Sequence, residues 1–174
     1  MKRRMFLGLL LAIVVTSPGI CSQPNSDFSG IWRQSNERST PKRMVDVTLH
    51  IDHRDPELTV ETTILRGSAA PRHAVQRYST DGKVSISTGA DGDEFHTSIV
   101  WNGQSLIFSV EEHEDGRVLL SKETWTLIEN GAALQRVREG VNTSSDRAGK
   151  QTIIYLREAY RSGALVPATQ SGCI

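Results

Sequence analysis

The chain has 174 residues, 37% hydrophobic and 23% charged, with 20 basic and 20 acidic side chains. This is an ordinary globular composition, neither repeat-rich nor low-complexity, with room for one domain around one core. Lys2, Arg3 and Arg4 account for part of the basic count, so a chain beginning near Ser22 keeps 17 basic and 20 acidic residues. That mildly acidic balance argues against nucleic-acid binding and against adhesion to an anionic membrane.

Residues 1–21 read as a signal peptide: a basic start, an 11-residue apolar run from Met5 to Val15, and a break at Thr16-Ser17-Pro18-Gly19. The run is too short to span a bilayer comfortably, so the mature chain is expected to carry no transmembrane anchor. Cleavage is expected near Gly19-Ile20-Cys21, which makes the protein exported, to the periplasm or the extracellular space. Arg3-Arg4-Met5-Phe6-Leu7 resembles a twin-arginine signal but lacks its flanking Ser and Lys, which favours the general secretory route. Ile20 stands where a lipoprotein has a small residue. The two cysteines, Cys21 and Cys173, lie at opposite ends; neither has a His beside it in sequence to argue for a nucleophile.

The first strand is expected at Phe28-Ser29-Gly30-Ile31-Trp32. Val45, Val47, Leu49 and Ile51 alternate with polar residues, and Leu58, Val60, Thr62 and Ile64 repeat the pattern after the His53-Arg54-Asp55-Pro56 turn, so the two runs pair as a hairpin. Arg66 to Arg72 reads as a loop. His73–Thr80 and Lys83–Thr88 flank Asp81-Gly82, a two-residue hairpin turn by its chemistry. Phe95–Trp101 and Gln104–Glu112 flank Asn102-Gly103, the strongest hairpin signal in the chain. Glu114-Asp115-Gly116 leads into Arg117–Ile128, and Asn130-Gly131 into Ala132–Arg138. Glu139 to Lys150 reads as a polar link before a last strand at Thr152–Leu156, with a short helix through Arg161 as the alternative. Residues 159–174 read as a loose tail.

Nine or so short strands joined by tight turns, with no helix between them, predict an all-β fold: an up-and-down antiparallel β-barrel over residues 27–158. Closure removes exposed strand edges. A β-sandwich is the alternative, with longer connections than most found here.

The spacing Phe28-x-Gly30-x-Trp32 resembles the opening of the calycin barrels, which include lipocalins, fatty-acid-binding proteins and avidins. Tyr78-Ser79-Thr80-Asp81-Gly82-Lys83, and Glu123-Thr124-Trp125-Thr126-Leu127 leading into Asn130-Gly131, look like stretches of bacterial secreted lipocalin-like proteins. The resemblance implies that Gly30 bends the first strand under the barrel end, that Trp32 closes the floor, and that an Arg from a late strand, Arg138 or Arg157, packs across that Trp.

An eight-stranded interior either fills with side chains or holds one small ligand. The inward faces would carry Val47, Leu49, Val60, Ile64, Ile99, Trp101, Leu106, Phe108, Trp125 and Leu127. Thr62, Arg77, Ser121 and Glu123 fall where they could orient a polar head group or stand wet at the rim. From these the expected ligand-contacting set is Leu49, Val60, Thr62, Arg77, Ile99, Trp101, Phe108, Glu123 and Trp125. The five histidines, His50, His53, His73, His96 and His113, have no ligand spacing and read as surface residues, so no metal and no cofactor are expected. The acidic Glu111-Glu112-His113-Glu114-Asp115 tip reads as a solvated turn. No nucleophile elbow, phosphate-binding glycine loop or Ser-x-x-Lys is present, so no enzyme is expected. The sequence thus points to an exported barrel that binds a small apolar or amphipathic molecule without covalent chemistry; the alternative is an envelope protein-interaction module with a filled barrel and an unknown protein partner.

Overall fold

The strongest alternation in the chain builds its most regular hairpin: β2 (Asp46–Arg54) and β3 (Glu57–Leu65) pair without a break from Asp46↔Leu65 to Arg54↔Glu57. Leu49, Ile51, Leu58 and Val60 are buried, while Asp52, Glu61 and the exposed side of His50 face out, as a period of two requires. The computed structural model describes residues 25–42, 45–89, 92–142 and 147–158. The expected signal peptide, the expected tail and both cysteines therefore lie outside the described residues, whereas the helix considered as the alternative for the last run is not formed: residues up to Arg157 are strand.

The other strands are β1 (Gly30–Thr40), β4 (Arg72–Ser79), β5 (Ser85–Thr88), β6 (Glu94–Asn102), β7 (Ser105–Glu114), β8 (Arg117–Ile128), β9 (Ala133–Asn142) and β10 (Arg147–Arg157). All ten form one antiparallel sheet in the order β4-β3-β2-β1-β10-β9-β8-β7-β6-β5. The pairing of β1 with β10 joins the first and last strands, Trp32 opposite Arg157, and curls the sheet into a nearly closed barrel. The fold is all-β and up-and-down, with ten strands where about nine were expected. No described helix is long and apolar enough to cross a membrane.

Two connections differ from the sequence reading. Asp81-Gly82 does not make a hairpin: β4 and β5 stand at the two ends of the sheet order, with an unbonded seam between them. The bend is tied to other turns instead. The Thr80 amide donates to the Pro56 carbonyl (2.8 Å) and the Gly82 amide to that of Ile99 (2.9 Å). Asp81 accepts from the Ser79 hydroxyl at 2.7 Å and the Lys83 amide at 3.1 Å, so local side-chain bonds do what a ladder would have done. Gly82 has φ 86°, and a Cβ there would meet Val100 Cγ1 at 3.3 Å. The second difference is the polar stretch 139–150, which continues β9 and β10 in register as far as Asn142↔Arg147. The paired Arg138 and Gln151 that bound it line the cavity as polar groups, and the stretch itself has no apolar alternation to mark a strand.

The floor is built from residues 25–32. Phe28 and Trp32 are fully buried, and the Trp32 indole N–H donates to the Phe28 carbonyl at 2.9 Å. The Arg157 guanidinium lies 4.2 Å from the Trp32 ring centroid and donates to the carbonyls of Ser29 (2.7 Å) and Gly131 (2.9 Å). Gly30 (φ 135°) lets the backbone pass beneath that cation, since a Cβ would sit 3.2 Å from Arg157 Nη1. Arg138 is not the cation across Trp32; as the sixth residue of β9, it stands toward the opposite end of the barrel.

Candidate functional site

Above this floor the interior is not filled. A cavity of about 340 Å³ is walled by inward side chains of β1 to β4 and β6 to β10. Val47, Val60, Ile64, Phe95, Phe108, Val110, Trp125 and Ile153 supply apolar wall; Gln34, Thr62, Gln76, Tyr78, Thr97, Glu123, Arg136, Arg138, Gln151 and Tyr155 supply polar groups.

The polar groups centre on one ion pair. Arg136 Nε donates to Glu123 Oε1 at 2.5 Å, and the Trp125 indole N–H donates to the same carboxylate oxygen. The guanidinium also lies 4.6 Å from the Trp125 ring centroid and 5.5 Å from that of Tyr155, whose hydroxyl accepts from Nη1 at 3.4 Å. Strand pairing makes this arrangement: Glu123 sits opposite Arg138 and Trp125 opposite Arg136, so carboxylate and guanidinium meet diagonally on the inner face.

Burial by itself would raise the Glu123 carboxyl, yet the Arg136 charge, its hydrogen bond and the Trp125 N–H outweigh burial and hold Glu123 below the usual range. Burial likewise opposes the Arg136 charge, and Glu123 with the two tyrosine oxygens more than restores it. Burial pushes the Tyr78 hydroxyl up to about 12, with Arg136 opposing the rise and Glu123 adding to it. The cavity thus holds a charged, internally compensated pair beside the neutral Tyr78 phenol. Glu123, Arg136 and Tyr78 present fixed hydrogen-bonding groups rather than ones that change protonation near neutrality.

The expected ligand-contacting residues divide three ways. Val60, Thr62, Phe108, Glu123 and Trp125 line the cavity. Leu49 and Ile99 are fully buried but pack into the core instead of its wall, and Trp101 belongs to the base, where its indole N–H donates to Asp55 Oδ1 at 2.9 Å and its ring lies 6.1 Å from Phe28. Arg77 is on the outside: the inward positions of β4 are Gln76 and Tyr78, and Arg77 is exposed between them. The slip has a simple cause, because β4 carries no apolar alternation to say which of its faces is inward. Ser121 lies at the rim beside Arg138, 3.4 Å from Nη2.

Arg136, Tyr155, Tyr78 and Gln151 were not expected in the site. The signal for Arg136 was available, since it shares a strand face with Arg138 in a strand of otherwise apolar start. The histidines also need correcting: His53 is buried at the base, 5.8 Å from the Phe28 ring and 5.7 Å from that of Trp101, and His96 and His113 are half-buried neighbours.

No family model matches the chain, and no characterised protein matches it by sequence. Solved structures do match in three dimensions. The fold is a calycin barrel. Secretory abundant heat soluble protein 4 from Ramazzottius varieornatus superposes with a TM-score of 0.56 at 12% identity, over 79% of this chain and 100% of that one. The REP1-NXSQ fatty acid transporter gives 0.52 at 13% identity, over 75% and 96%. Fatty-acid-binding protein 1 of Echinococcus granulosus gives 0.52 at 12%, over 76% and 98%. At these identities the likeness is one of fold.

Proposed function

We propose that this chain is an exported carrier that takes a small amphipathic molecule into its barrel without covalent chemistry. The observation that carries the reading is the cavity: about 340 Å³, with a wall part aliphatic and aromatic, part polar, lies within the size range of small-molecule sites. Apolar ligand surface against Val60, Phe108 and Ile153 gains about 0.8 kcal/mol for each methylene removed from water. Glu123 and Arg136 compensate each other, and Arg138 adds positive charge on the same inner face, so the lining favours a ligand end that accepts hydrogen bonds or carries negative charge. Binding proteins for fatty acids among the structural neighbours support the same reading. Export rests on the three-part layout of residues 1–21. A filled-barrel interaction module fits less well, because its interior would need no cavity.

Titration with a dansyl-labelled C11 fatty acid tests this. Saturable fluorescence enhancement is expected, with displacement by unlabelled amphiphiles, and loss of both in Val60→Trp, which places an indole in the cavity. Equal binding by parent and variant, with the variant folded, would place the probe elsewhere and defeat the proposal. Mass spectrometry of the exported protein reads the other half: an intact Met1 would contradict export.

A further inference from the structure

The outer wall of β6 and β7 carries a cluster that the cavity does not use. Pairing sets His96 opposite Glu111 and Glu94 opposite His113, so imidazole and carboxylate alternate along both strands. These four side chains project outward, while their neighbours Phe95, Thr97 and Val110 line the cavity. The imidazoles meet on the diagonal, with ring centroids 4.5 Å apart, and one ligand atom each from His96, Glu111 and His113 all lie within 4.8 Å of one another.

Two observations distinguish this from a solvated charged face. His113 Nε2 itself is shielded from solvent, though the side chain is 39% exposed, and has no hydrogen-bond partner among the described residues; Glu111 Oε2 is 4.0 Å away, too far to bond. A buried ring nitrogen left in that condition is unfavourable, and a cation between it and the carboxylate would satisfy both. His96, by contrast, has Nε2 2.5 Å from Glu94 Oε1, the arrangement in which a carboxylate fixes one ring nitrogen and turns the other toward an ion. The cluster also has an apolar rim: Ile86 pairs with His96, Leu120 with Glu111 and Val118 with His113, and all three rim side chains are exposed.

We propose that His96, Glu111 and His113 form a binding site for a divalent transition-metal ion of the zinc, cobalt or nickel kind, with Glu94 positioning His96. Two imidazoles and one carboxylate suit such ions, whereas calcium and magnesium favour all-oxygen shells. Ligand bonds of about 2.0–2.2 Å in a tetrahedral shell place donor atoms about 3.4 Å apart, closer than the present spread of up to 4.8 Å, so a bound ion would draw the three side chains together. Three protein ligands leave a fourth position open.

Co²⁺ is the probe. Titrated into the full chain at neutral pH, it should bind at one ion per chain with visible absorption of a tetrahedral or five-coordinate centre. It should selectively perturb the imidazole resonances of His96 and His113 in the unsubstituted protein, a readout that needs no variant to fold. His96→Ala and His113→Ala should each weaken binding about tenfold or more, Glu94→Gln about 10–100-fold as an orienting carboxylate does, and His73→Ala should leave it unchanged. Perturbation of other histidines instead, affinity no tighter than millimolar, or affinity surviving both alanine substitutions in folded protein would overturn the site.

Discussion

Replacing Glu123 by Gln keeps the shape of the cavity and removes one charge from its central pair. Gln still has a carbonyl to accept from Arg136 and Trp125, so the change isolates the carboxylate's charge from its hydrogen bonds. The side chains of Arg136 and Glu123 are 21% and 13% exposed, so the guanidinium left behind would be largely desolvated. Stranding one member of a buried pair costs about 3–5 kcal/mol, and the residual exposure puts this case near the lower figure. For a barrel of this size that is a fall in Tm of about 10 °C. Glu123→Leu with Arg136→Met removes both charges and should recover most of the loss, because apolar replacement of an entire pair is often neutral. The pH dependence has a definite sign. Glu123 is held below its ordinary value of 4.5, so its contribution is present above that pH and fades as pH drops through the folded value. The gap between parent and Glu123→Gln should therefore narrow below pH 4.5. Urea melts across pH would read all of this. A loss under about 1 kcal/mol for the single variant, or a double variant no more stable than it, would refute the assignment of a strongly coupled pair.

Three further outcomes follow from the base of the barrel and its seam. Trp32→Ala removes a fully buried indole and the surface on which Arg157 lies, and should lower stability by about 3–5 kcal/mol in denaturant melts; an unchanged midpoint would contradict its place in the floor. His53 is held below its ordinary 6.5 chiefly by burial, with Asp55, Asp27 and Asp52 working the other way. The unfolded chain therefore takes up a proton first as pH falls below 6.5, and stability should decline there; in His53→Phe that part of the slope should vanish, and identical slopes would show that His53 is not its source. Its Nδ1 accepts from the Phe28 amide at 3.4 Å, which protonation would forfeit. Gly82→Ala forces a side chain into a left-handed turn with Val100 in the way, and should cost about 1–2 kcal/mol by thermal melt, whereas Gly103→Ala, with open space around it, should cost less. Equal losses would remove the seam contact from the explanation.

The order of residues by itself determined the class of fold. Alternation in Val47, Leu49 and Ile51 against Val60, Leu58 and Ile64, with Asn102-Gly103 and Asp115-Gly116 between runs, leaves an antiparallel sheet as the consistent solution, because side-chain period and turn geometry are local properties of a chain. Local rules do not say which strands become neighbours once the sheet curls. Only the closed barrel decided that β4 and β5 part at a seam, that β9 and β10 run on through polar residues toward the mouth, and that Arg77 faces water. The same holds for the pairs with chemical character: Glu123 meets Arg136, and His96 meets His113, across strands separated by 13 and 17 positions. Such meetings depend on register, which is set by the summed packing and hydrogen bonding of whole strands and is visible only after the backbone has closed on itself.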